Sequence, residues 1–252
     1  MNPWRQLFGS SLGKKYLMGL SGVVLAGFVL GHMAGNLQFF LPPVYINAYG
    51  HKLQTLPYNL LWAMRLFLLV CVVVHIWMAV VLTVENRRAR PESYEVETTV
   101  EAGFASRTMI WSGGLLFLFI LFHLFHFTVR SIYDYSALPY ILHAEVVHDV
   151  YAMIYLGFSH WYVSIFYMVA MGFLCMHLSH GVSSMFQTLG FRNGKWRERL
   201  DRLAVVYGWV VFLGFISIPA AVLATKYCGV DLLDRAHVEA TVALGKGIFA
   251  PH

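Results

Sequence analysis

The stretch Leu17–Phe40, LMGLSGVVLAGFVLGHMAGNLQFF, is about 24 residues long and contains one ionisable side chain, the imidazole of His32. At 1.5 Å per residue a helix of that length crosses a hydrocarbon core of roughly 30 Å. Ionisable groups are rare at membrane depth because desolvation is costly, so this one marks either a functional site or a partner that removes the cost. Similar apolar runs recur at about 58–84, 108–129, 161–186 and 203–225. With 58% hydrophobic residues, 12% charged and a mean hydropathy of +0.61, the composition lies outside the range of soluble domains. These runs predict an all-α integral membrane bundle of five transmembrane helices over residues 1–226. The tail, 227–252, is expected on the outer side with no assigned structure.

The connections set the orientation. Pro42-Pro43 closes the first run, Glu85-Asn86-Arg87-Arg88-Ala89-Arg90-Pro91 closes the second, and QTLGFRNGKWRERLDR separates the fourth from the fifth. VYINAYGHKLQTLP reads as an external loop and ESYEVETTVEAGFASR as a solvated one, while about His143 to Gly157 reads as a surface-lying amphipathic helix. Arg5, Lys14, Lys15, Arg87, Arg88, Arg90, Arg107, Arg192, Lys195, Arg197, Arg199 and Arg202, twelve of the 18 basic residues, then share one side. The positive-inside rule makes that side, and the N-terminus, cytoplasmic. The expected location is the bacterial inner membrane. Lys14 and Lys15 precede the first run as in a signal peptide, but the run is too long and lacks a clear small-residue cleavage site, so it is expected to be retained. The net charge of +5 comes from these clusters and not from a nucleic-acid patch. Cys71, Cys175 and Cys228 form no disulfide framework or zinc spacing, and no C-x-x-C-H attachment site for covalent haem is present.

Four of the five runs carry histidine: His32, His75, the pair His123 and His126, and the pair His177 and His180. His32 lies about 17 residues beyond Lys15 and His123 about 16 beyond Arg107, or roughly 25 Å of helix. His75 lies about 12 residues before Arg87 and His180 about 12 before Arg192, or roughly 18 Å. Counting therefore pairs His32 with His123 at an outer level and His75 with His180 at an inner one. Two facing neutral imidazoles at one depth suit bis-axial coordination of haem iron, so two pairs imply two haems b. Glycines beside the ligands, among them Gly27, Gly31, Gly35, Gly113, Gly114, Gly172 and Gly181, fit either a flat macrocycle or close helix packing. His126 and His177 are expected to bond haem carboxylates or neighbouring backbone.

The segments GFVLGHMAGN, VVVHIWMAVVL, the span from Ser112-Gly113 to Phe122-His123-Leu124, and HLSHGVSSMFQTLG resemble the cytochrome b membrane-anchor subunit of the succinate dehydrogenase and fumarate reductase family, in its single-polypeptide, five-span, two-haem form. The resemblance runs from about Leu12 to Thr225. It implies the same pairing, His32 with His123 and His75 with His180. It also implies a cytoplasmic flavoprotein with FAD and an iron–sulfur subunit as partners, in a complex open to higher oligomerisation. Electrons would then pass between their clusters and a membrane quinone, usually menaquinone. The succinate site would lie on the partners, so no catalytic residue is expected here. Some fumarate reductases of this form carry a glutamate two residues before the last haem ligand for proton movement; Leu178 stands there.

A quinol needs a proton-exchanging group near the outer haem. Asn47, Tyr49 and His51 are the candidates, with Lys52, His143, His148 and Asp149 on the same side. Arg65 and Arg130 are placed to pair with haem propionates or to snorkel to the interface. The alternatives are a stand-alone bis-histidine membrane cytochrome b and a haem-free transporter relaying protons through its histidines.

Overall fold

The computed structural model describes residues 9–89, 109–135 and 138–248. Five helices in it are long and apolar enough to cross a membrane, and their most apolar stretches are only 11% to 39% buried. Apolar side chains therefore face outward, as a lipid solvent requires of helices whose backbone groups are satisfied internally. The chain is a helical, multi-pass membrane protein.

The spanning helices are α1 (Ser11–Leu37), α3 (Leu60–Arg88), α4 (Met109–His123), α6 (Trp161–Thr188) and α7 (Arg197–Tyr227). Between them lie α2 (Pro43–Gln54), the hairpin β1 (Pro139–Leu142) and β2 (Glu145–His148), and α5 (Val150–Phe158); α8 (Arg235–Ile248) follows. Ser10 caps α1 by accepting from the Gly13 N–H at 3.0 Å. A 3₁₀ turn, Gln38–Phe40, ends that helix before the two prolines, and Pro43 then opens α2 at its first helical position. Beyond His123, α4 widens into a π turn, Leu124–Thr128, in which the Val129 N–H reaches the Leu124 carbonyl at 2.7 Å. Pro219 lies inside α7.

Each spanning helix has residues in both of two compact units. The first comprises Met1–Leu30, Trp62–Leu116 and Phe173–Val211. Within it Lys14 pairs with Glu85, and the Tyr207 hydroxyl donates to the Ala26 carbonyl at 2.6 Å. Gly208 lets α7 approach α6 so closely that a Cβ there would stand 2.8 Å from the Cys175 carbonyl oxygen. Arg192 folds back to bond Asp201.

The second unit comprises Gly31–Leu61, Phe117–Gly172 and Phe212–His252. Its core gathers Phe39, Ile46, Tyr151, Ile154, Tyr155, Phe158, Tyr167 and Val222 around α5, which is buried on nearly every side. At the start of that helix Asp149, fully buried, accepts from the Ala152 N–H (2.9 Å), Asn47 Nδ2 (3.0 Å), His237 Nε2 (2.7 Å) and Thr241 Oγ1 (2.9 Å). One carboxylate thus ties α2, α5 and α8 together.

Three expectations outside the spans are corrected. The external loop VYINAYGHKLQTLP contains α2, whose Ile46 and Asn47 are buried. The surface helix expected over 143–157 is instead the hairpin followed by the buried α5. His143 and Ala144 turn the hairpin with φ of 48° and 68°, the left-handed pair of a two-residue turn, without the glycine or asparagine that usually announces one. The tail left without structure forms α8, docked on α5 and β1. The loop ESYEVETTVEAGFASR and three of the orienting bases, Arg5, Arg90 and Arg107, lie outside the described residues.

Candidate functional site

Each unit holds one pair of neighbouring imidazoles. In the first, the rings of His75 and His177 lie 6.4 Å apart, centre to centre, at 65°. In the second, those of His32 and His123 lie 5.8 Å apart at 83°. Neither pair is a face-to-face stack. Two metal–imidazole bonds of about 2 Å on opposite sides of one ion set ring centres on the order of 6 Å apart, and both pairs match that spacing.

Hydrogen bonds fix which nitrogen each ring presents. His75 Nδ1 lies 3.2 Å from the Met18 carbonyl oxygen, an acceptor only, so Nδ1 carries the proton. Ser21 Oγ, 3.4 Å away, gives its own proton to the carbonyls of Leu17 and Met18. On α4 Ser112 Oγ donates to the Met109 carbonyl and therefore accepts from His177 Nδ1 at 3.2 Å. Both rings are left with an unprotonated Nε2. That is the ligating tautomer, held as metal-bound histidines usually are. Glycines admit the rings: a Cβ on Gly22 would stand 3.4 Å from His75 Cε1, and one on Gly113 3.5 Å from His177 Cε1.

In the second unit His123 Nδ1 lies 3.3 Å from the Tyr167 hydroxyl, and Phe119 stacks on the ring. Asn36 donates to the His32 carbonyl at 2.8 Å, with its Nδ2 3.4 Å from both nitrogens of the His32 ring. Gly31, Gly172, and in the first unit Gly27 and Gly114, have open space where a Cβ would project.

The remaining residues singled out in the sequence separate into several groups. His180, selected by the depth count, is not the residue brought to His75; His177 is. The count assumes helix as far as Arg192, but α6 stops at Thr188, Gly190 turns the chain at φ 82°, and Arg192 returns to Asp201. His180 instead lies within electrostatic reach of Arg192 and Asp201. His126 is fully buried, with each ring nitrogen on a tyrosine hydroxyl, Tyr167 at 3.0 Å and Tyr135 at 3.1 Å, rather than on backbone.

Asn47 is buried and committed: its amide donates to Asp149 and its carbonyl accepts from the N–H groups of Val150 and Tyr151. Tyr49 packs on Gly35, while His51 lies 3.6 Å from Glu145 and remains partly exposed. Burial, reinforced by the Arg130 cation, holds His148 down at about 4. Arg65 is exposed and lies over the Trp62 ring at 4.9 Å. Residues the sequence did not single out include Tyr135, Tyr167 and His237. A tyrosine within a predicted span was the available signal for Tyr167.

Among the described residues no group of three or more His, Cys, Asp or Glu is placed to hold a metal ion. Structural zinc takes about four protein ligands. A pair of imidazoles suits instead an iron whose other donors are the nitrogens of a porphyrin, and the donor set fits that group. Comparison with protein families, curated proteins and solved structures returns no match.

Proposed function

We propose that this chain is a dihaem cytochrome b, the membrane anchor of a succinate:quinone oxidoreductase. The observation that carries the reading is the presence of two imidazole pairs at metal-bridging spacing, in the first of which both Nδ1 protons are committed to protein acceptors. His75 and His177 would hold one haem, and His32 and His123 the other; His177 takes the place that counting gave to His180. Haem iron would supply reversible one-electron transfer, tuned by its axial ligands and surroundings. The residues of this chain orient the ligands, keep them neutral and exclude water with the aromatic side chains Phe119 and Phe215 near one pair.

The partners follow from the family resemblance: a flavoprotein bearing FAD and an iron–sulfur subunit on the cytoplasmic side, with a quinone, menaquinone in most proteins of this form, as the membrane substrate. The basic segments around Lys14–Lys15 and Arg192–Arg202 would face those partners in a bacterial inner membrane. Of the three candidates for quinone contact, His51 keeps a partly exposed side chain and Asn47 is fully committed, so His51 takes the role.

Affinity purification of the tagged chain from its native membranes tests the assignment. Co-purification of one FAD-bearing and one iron–sulfur protein, with succinate-reducible haem, is the expected result. A haem protein that comes alone would be a stand-alone cytochrome, and a chain without haem would return the histidines to proton relay.

A further inference from the structure

His126 is the one fully buried histidine among the described residues, and its environment is built for it. The π turn at Leu124–Thr128 changes the angular step just after His123, and such turns occur often at functional sites. Gly157 on α5 makes room for the ring, since a Cβ there would stand 3.1 Å from His126 Nε2. Phe127 covers the ring at 3.9 Å between centres. What this packing protects is a hydrogen-bonded chain: His123 Nδ1, Tyr167 hydroxyl at 3.3 Å, His126 Nδ1 at 3.0 Å from that hydroxyl, and His126 Nε2 at 3.1 Å from Tyr135.

A tyrosine hydroxyl has one proton to give, and a neutral imidazole carries one proton on one of two nitrogens. The chain therefore has two self-consistent orders. In the first, His123 Nδ1–H donates to Tyr167, Tyr167 donates to His126 Nδ1, and His126 Nε2–H donates to Tyr135; His123 Nε2 is then bare and able to ligate. In the second every bond reverses, Tyr167 donates to His123 Nδ1, and the proton on His123 moves to Nε2, where it blocks ligation. An order in which Tyr167 accepts from both rings leaves its own hydroxyl proton without an acceptor in this chain, and one in which both rings present bare nitrogens to Tyr167 leaves one of them unbonded.

We propose that His126 is a positioning residue that acts through Tyr167 to hold His123 in its ligating tautomer. The inference rests on the proposed haem function. Without an acceptor at position 126, the Tyr167 hydroxyl keeps His123 Nδ1 as its hydrogen-bond partner and donates to it, which favours the blocked order. Donation of Nδ1–H to an acceptor also raises the basicity of the opposite nitrogen. Losing it weakens electron donation to iron and raises the reduction potential.

The test uses the full-length chain purified with its haem, comparing His126→Leu, His126→Gln and Tyr167→Phe by haem content and redox-titrated EPR. His126→Leu and Tyr167→Phe are expected to weaken retention of one haem by about 10- to 100-fold. The midpoint of that centre should move upward while the other stays in place. Glutamine offers one acceptor and one donor, so His126→Gln should restore the wild-type midpoint. Wild-type midpoints for both centres in the leucine and phenylalanine variants would overturn the positioning role alone. Should His126→Leu fail to fold, Tyr167→Phe and His126→Gln decide the question by the same readouts. A wild-type chain with no bis-histidine signal would overturn the dihaem reading and this inference with it.

Discussion

Ser112 Oγ lies 3.2 Å from Nδ1 of His177 while giving its own proton to the Met109 carbonyl, so the serine can only accept from the imidazole. A single hydroxyl on α4 thereby chooses the tautomer of a ring on α6. Ser112→Ala should remove that acceptor and weaken haem retention at this pair by about 10-fold or more, whereas Ser112→Thr should preserve it. Haem-to-protein ratios after stringent detergent washing check this, and equal retention in all three proteins would rule the serine out.

The same ring decides between two histidines three residues apart. His177→Ala is expected to abolish one low-spin EPR signal, because it leaves His75 without a partner, while His180→Ala keeps both signals. The opposite outcome would return the ligand assignment to His180.

The sequence made the five spans legible because lipid imposes a length and an apolarity that nothing else in the chain imitates. The closeness of His32 to His123 was also accessible by counting on the first span, since Lys15 lies within the continuous helix that carries His32. The same counting points to His180 where the structure brings His177 to His75, because Gly190 ends the helical rise before Arg192, the residue counted from, is reached. The segments between spans were read poorly for a different reason. Amphipathic periodicity assumes one wet face, but α5 is buried almost all round, and the hairpin turns on His143 and Ala144, which give no turn signal. In the sequence Asp149 is one of several polar residues on the expected outer side. Its four donors come from positions as far apart in sequence as Asn47 and Thr241, a relation that no local pattern encodes.

Stability should vary with pH through Asp149 and His237, both outside the spans. Burial is the largest influence on Asp149 and pushes its carboxyl up, but hydrogen bonds from His237, the Ala152 N–H and Asn47 together hold it below the ordinary 3.8. The bond to Asp149 lifts His237 above 6.5 against the effect of burial. A lowered carboxylate contributes stability that is present above 3.8 and lost as pH falls through its folded value. A raised imidazole contributes stability that is present below 6.5 and lost as pH rises through its folded value. Docking of α8 should therefore be tightest between these limits. Limited proteolysis or amide exchange across 235–248 should show release on both sides of that window. Asp149→Ala, which strands His237 and Asn47, should cost about 3–5 kcal/mol. A flat pH profile identical in wild type and His237→Gln would contradict the coupling.

Gly208→Ala tests the close approach of α6 and α7. A Cβ there would meet the Cys175 backbone oxygen at 2.8 Å and Ser179 Oγ at 2.5 Å, and the backbone contact cannot be relieved by a rotamer change. A loss of about 1–3 kcal/mol is expected, visible as a lower thermal midpoint in detergent. An unchanged midpoint would show that the two helices separate freely.

Two imidazole pairs lie at a spacing that one iron each would bridge. Pyridine haemochrome analysis of the purified full-length chain, set against amino-acid quantitation, measures their haem occupancy directly. The predicted result is two haems b per chain, both low-spin in the EPR spectrum. One haem per chain, or none, would contradict it.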